Sequence, residues 1–143
     1  MTAALNRLFG ATRWVHNEYI ARARASYEAG HGHLSGYTGQ RLVVTDGRAN
    51  PETAWLKEFP SGVFRGSVTR AATGHQSFIA STSGRRNGPR LGRPRSKKKT
   101  ARQSAEFPRA AFSIRGGWEN TRAHGVGQLK LSKIGPVDSH DHA

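Results

Sequence analysis

The chain has 143 residues, no cysteine, 35% hydrophobic residues and a formal net charge of +14. The absence of cysteine excludes a disulfide framework and any thiolate metal site, and the low apolar content argues against a tightly packed core over the full length. No run is long enough to span a bilayer, and Met1-Thr2-Ala3-Ala4-Leu5-Asn6-Arg7 lacks the uninterrupted apolar stretch of a signal peptide. A cytoplasmic protein with no membrane partner is the expectation.

Residues 3–29 read as an amphipathic helix. Leu5, Leu8, Phe9, Thr12, His16, Tyr19, Ile20, Ala23 and Tyr27 recur at three- and four-residue spacing and share one face. Gly30 is the expected stop, followed by a Gly/His/Ser-rich loop. Arg41-Leu42-Val43-Val44-Thr45 fits a short strand and a helical turn equally well. Asn50-Pro51-Glu52 reads as a helix start, with Asn50 capping, Pro51 at the first helical position and Glu52 at the positive end of the dipole. The helix runs through Trp55, Leu56 and Phe59 to Pro60. Ser61 is then expected to cap another helix through about Ala80, with Val63, Phe64, Ser67, Val68, Ala71, His75, Phe78 and Ile79 on one side. Gly66 and Gly74 weaken that helix by roughly 1 kcal/mol each, so packing against the first helix has to hold it. Trp14, Trp55 and Phe64 read as core residues; Trp118, in a Gly-rich turn, is the aromatic least expected to be buried.

From Phe59 to Ala105 there is no acidic residue and there are eleven Lys or Arg, nine of them between Arg85 and Arg102. This much uncompensated charge repels itself unless a polyanion binds, and phosphate backbones are the commonest partner. Gly and Pro exclude regular structure here, so the cations sit on a strap expected to be mobile enough to follow a groove. Arg85, Arg86, Arg90, Arg93, Arg95 and Arg102 suit bidentate phosphate contact or base stacking, and Lys97, Lys98 and Lys99 act as point charges. Arg13 and Asn17, at i and i+4 of the first helix, read either as a pair facing base edges or as a surface charge and a local cap. Beyond the strap, Phe112-Ser113-Ile114 and Leu129-Lys130-Leu131 alternate as half-buried strands do.

The expected fold class is therefore α+β. Residues 1–80 form a helical, helix-turn-helix-like bundle, 81–104 a basic linker, 105–137 a short antiparallel β segment and 138–143 a tail. The acidic residues are Glu18, Glu28, Asp46, Glu52, Glu58, Glu106, Glu119, Asp138 and Asp141. They are scattered, whereas metal-dependent phosphodiester cleavage needs carboxylates that converge. His31-Gly32-His33 and His140-Asp141-His142 read as solvated pairs rather than metal sites. No enzymatic activity, metal, cofactor or small-molecule substrate is expected of this chain by itself.

The order of motifs resembles the TnpB/OrfB family of insertion-sequence proteins. The resemblance is carried by Phe9-Gly10-Ala11-Thr12-Arg13-Trp14-Val15-His16-Asn17, by Trp55-Leu56-Lys57-Glu58-Phe59-Pro60-Ser61, and by Ser77-Phe78-Ile79-Ala80 with the Gly/Pro/Arg/Lys strap after it. It continues through Arg102-Gln103-Ser104-Ala105-Glu106-Phe107, Ala111-Phe112-Ser113-Ile114 and Leu129-Lys130-Leu131-Ser132-Lys133-Ile134-Gly135. The resemblance implies the N-terminal recognition and wedge part of an RNA-guided DNA endonuclease related to the type V CRISPR effectors. Its partners would be DNA and a guide-type RNA. The family's RuvC-like nuclease and zinc ribbon lie further along than the residues matched here. The chain departs from the family at the strap, where Arg95 is followed directly by Ser96-Lys97 without the usual aromatic, and at Ala71-Ala72-Thr73-Gly74-His75. Two readings stand beside this one: a general RNA-binding structural protein, and a relic of a truncated transposase gene.

Overall fold

The structure is a computed structural model that describes residues 3–100, Ala105 and the backbone of three short strands. Helix α1 (Ala3–Glu28) and helix α4 (Ser61–Thr82) are its two long elements. Between them α2 (Gly36–Gly39) runs without a break into a π-helical stretch (Gln40–Thr45) and on into α3 (Asp46–Ala49), and a 3₁₀ turn (Ala54–Glu58) leads to α4. The apolar run at residues 41–45 is thus helical: its flanking residues Gly39 and Asp46 keep helical dihedrals, and Val43 and Val44 are fully enclosed.

The core follows from the two helical stripes. Leu5, Leu8, Ala11, Thr12, Val15, Tyr19, Ile20 and Ala23 of α1 are buried, as are Val63, Phe64, Ser67, Val68, Ala71, Ala72, His75 and Phe78 of α4. Each large apolar side chain in this set contributes about 1.5–3 kcal/mol by leaving water. The C-terminal turns of both long helices meet where the Tyr27 ring stands edge-on to His75 and Phe78, with centroids 6.0 Å away in each case. Small residues let α2 lie close to α4: a Cβ built on Gly36 would sit only 3.5 Å from the Ala72 methyl.

Both long helices stop by the same device. Gly30 and Gly84 take φ of +82° and +76°. In each case the following residue donates back five positions, His31 to the Ser26 carbonyl and Arg85 to that of Ala80. This is the Schellman arrangement, which needs a left-handed residue that glycine adopts without strain.

Three expectations are corrected. The residue at the N-cap of α4 is Pro60, with no side-chain cap hydrogen bond, so Ser61 is the first residue of the helix rather than its cap. Asn50 does not start a helix: its Oδ1 accepts from the Glu52 amide at 3.0 Å, closing a turn that delays the helical residues to Ala54. The α+β class is replaced by a helical one. Helical elements make up most of the described chain, and the core described above is built from them. The three strands, Phe112–Arg115, Gln128–Leu131 and Gly135–Asp138, pair antiparallel in that order. At four residues each they lie at the short end of ordinary strand lengths. The helix-turn-helix expectation falls with that class, because α1 packs on α4 across residues 29–60 rather than joining its partner through a tight turn.

Candidate nucleic-acid interface

The basic strap is tied down along the groove between α1 and α4. Arg85 and Arg86 shape the turn that reverses the chain after α4: Arg85 Nε donates to Ser83 Oγ and Arg86 Nη1 to the Pro89 carbonyl, each at 3.0 Å. The Leu91 amide then donates to Ser81 Oγ at 2.9 Å. Arg93 donates to Glu28 Oε1 at 3.1 Å while its guanidinium lies 5.8 Å above the Phe78 ring. Pro94 lies over Gly74, where a Cβ would meet its ring only at 4.0 Å. Further along, His16 Nε2 donates to the Arg95 carbonyl at 3.2 Å. The Asn17 amide grips Lys97 at both ends, with Nδ2 donating to its carbonyl at 3.0 Å and Oδ1 accepting from its amide at 2.7 Å. Beyond it, Ala105 packs against the core.

The sequence-derived cations fall into distinct settings. Arg85, Arg86, Arg90, Arg93, Arg95, Lys98 and Lys99 are exposed, and Lys97, Arg13 and Asn17 are half-buried. Arg13 lies back along its own helix, its Nη2 facing the Cα of Gly10. Asn17 is therefore brought to the strap while Arg13 is not. Arg102 and Trp118 lie outside the described residues, as do Glu106, Glu119, Asp141 and the His140-Asp141-His142 pair. Among the described residues no three His, Asp or Glu side chains converge as metal ligands would, and no helix is long and apolar enough to cross a membrane.

Sequence reasoning missed two features. Trp55 is not core: it is 37% exposed and stands edge-on to Trp14 with centroids 5.3 Å apart. The second is a pair of imidazoles. His33 and His75 meet through their Nδ1 atoms at 3.2 Å, one donating and the other accepting. His75 is 5% exposed and is flanked by Tyr27, Phe78 and Arg93. The pattern of buried residues in α4 marks His75 as inward-facing, but nothing local marks His33 as its partner 42 positions away.

These imidazoles predict how stability depends on pH. Burial lowers the pKa of His75, and the neighbouring His33 and Arg93 lower it further. Burial does the same to His33. His16 is also lowered by burial; its hydrogen bond to Arg95 opposes this, and the Lys97 and Arg70 charges reinforce it. A histidine whose folded pKa lies below its unfolded value takes up its proton first in the unfolded chain. The stability is therefore complete above the ordinary value of 6.5. It falls as pH drops from there toward the lowered values. Thermal melts should show a Tm several degrees lower near pH 5.5 than at pH 7.5, by roughly 4–8 °C per kcal/mol lost. His75→Phe, which fits between Tyr27 and Phe78, should flatten that slope; an unchanged slope would show that the pair does not cause it.

No family model matches the chain. Over 138 residues it is 32% identical to a Streptomyces pristinaespiralis protein named "Putative RNA-guided DNA endonuclease", in a match that covers 95% of this chain and 30% of that protein. The chain thus spans about a third of the length of the curated relative it matches.

Proposed function

We propose that the chain is a nucleic-acid-binding part of a TnpB/OrfB-type RNA-guided endonuclease and that it holds nucleic acid by its phosphate backbone. The relative's name, the match over 95% of this chain and the motif order noted above support the family. The strap, anchored in one groove with its cations exposed, supports the mode of binding. Residues 1–80 act as the platform and 81–104 as the contacting strap. Arg85, Arg86, Arg90, Arg95, Lys98, Lys99 and Arg102 meet phosphates with little regard to base sequence. Lys97 joins them, with Asn17 beside the strap on α1 and Arg13 one turn earlier on the same helix. Guide-type RNA and the DNA it pairs with are the partners. Cleavage is assigned to other parts of the endonuclease, of whose relative this chain spans 30%; Glu18 and Glu28 are here engaged by Arg22 and Arg93.

The observation that carries this reading is the tethering of four strap residues, Leu91, Arg93, Arg95 and Lys97, along α1 and α4. Fluorescence anisotropy over a salt series, with a structured RNA and a duplex DNA of equal length, tests it. Expected is tight binding at low salt that favours the RNA and weakens with a log–log slope of about −6 to −7, as about eight phosphates are neutralised. Absence of binding at low salt would reject the proposal in favour of a relic without function.

A further inference from the structure

Asn17 engages the strap with both ends of its amide, giving to and taking from Lys97. This is what a neighbouring β-strand does for one residue of an extended chain. His16 holds the carbonyl of Arg95, two residues earlier. The strap backbone is thus held against α1 at two nearby points, which limits its rotation about its own axis. Leu91, Pro94 and Lys97 are its half-buried positions, with exposed residues between them. A repeat of three is that of polyproline II. Arg93 is turned back to Glu28 and the Phe78 ring. Arg95 and Lys98, three apart, share an exposed edge.

We infer that Asn17, assisted by His16, is a positioning residue: it holds the strap backbone, makes no contact with nucleic acid, and so presents Arg95 and Lys98 together to a phosphodiester chain. This rests on the nucleic-acid reading above and assigns Asn17 a role that differs from facing base edges. A released strap would carry the same charge, but binding would then have to order it, at the expense of affinity.

The test is Asn17→Ala in the whole chain, read by amide hydrogen exchange and by anisotropy. Loss of the Lys97 hydrogen bonds should speed exchange of its amide about tenfold, with core amides of α1 and α4 unchanged. Affinity should fall about tenfold, while the salt slope stays the same because no cation is removed. Asn17→Asp keeps the acceptor for the Lys97 amide, so protection there should persist; this separates the grip from any general loosening of the fold. A drop in affinity with Lys97 exchange unchanged would mean direct contact with nucleic acid and overturn the inference. Faster exchange with unchanged affinity would overturn it as well. If the unaltered chain binds no nucleic acid, the function above fails, and the exchange rates alone decide whether Asn17 holds the strap.

Discussion

Replacing Lys97, Lys98 and Lys99 together by glutamine will reduce affinity for every nucleic-acid sequence alike, by about 100-fold at about 0.15 M salt. Each phosphate contact contributes close to 0.9 to the log–log salt dependence on duplex DNA, so the slope should flatten by about 2–3 units. The substitution is chosen to leave the strap in place. Asn17 holds the backbone of Lys97, and the amide and carbonyl remain in glutamine. Lysine meets phosphate as a point charge rather than through a rigid fork, and loss of three point charges carries no sequence preference. An anisotropy salt series on the variant checks both numbers. A slope equal to that of the unaltered chain would show that these lysines meet no phosphate.

Gly39→Ala will destabilise the fold, although helix propensity alone favours alanine by about 1 kcal/mol. Gly39 is buried at the end of α2, and a Cβ there would stand 2.7 Å from both Cδ2 and Cε2 of Tyr19 and 3.2 Å from Val68 Cγ1. Tyr19 is fully enclosed and its hydroxyl donates to the Leu34 carbonyl at 2.6 Å. Burial pushes the phenol pKa up to about 12, so this donor persists across ordinary pH. The ring is held at both ends and has little room to yield. Overpacking of this kind costs about 1–3 kcal/mol; the larger part of that range survives the propensity gain and lowers Tm by several degrees. A thermal melt of the variant decides it: an equal or higher Tm would show that Tyr19 moves aside freely.

The two long helices were legible because their evidence is local. The apolar stripe of α1 places Leu5, Leu8, Thr12, Tyr19, Ile20 and Ala23 inside, and that of α4 places Val63, Phe64, Ser67, Val68, Ala71, His75 and Phe78 inside. Periodicity encodes which face is apolar, and a face has to be covered whatever covers it. Gly30 was legible as a stop for the same reason, since the left-handed residue it supplies is a requirement of the helix end itself. Trp55 was misjudged because aromatic character says nothing of whether a neighbour closes over the ring. The strands were weighed too heavily as a class, because alternation over a few residues signals a strand but not a layer.

The nine cations between Arg85 and Arg102 are likewise a property of the sequence, and their charge is the ground for expecting a polyanion partner. Their arrangement belongs to the tertiary structure. The contacts of His16 and Asn17 with Arg95 and Lys97 join residues 79 and 80 positions apart, and the His33–His75 pair joins residues 42 apart. A stripe or a charge run is written in neighbouring residues and can be read from them. A hydrogen bond between distant residues exists only once the core of α1 and α4 has brought their surfaces together, and that packing decides which cations face outward.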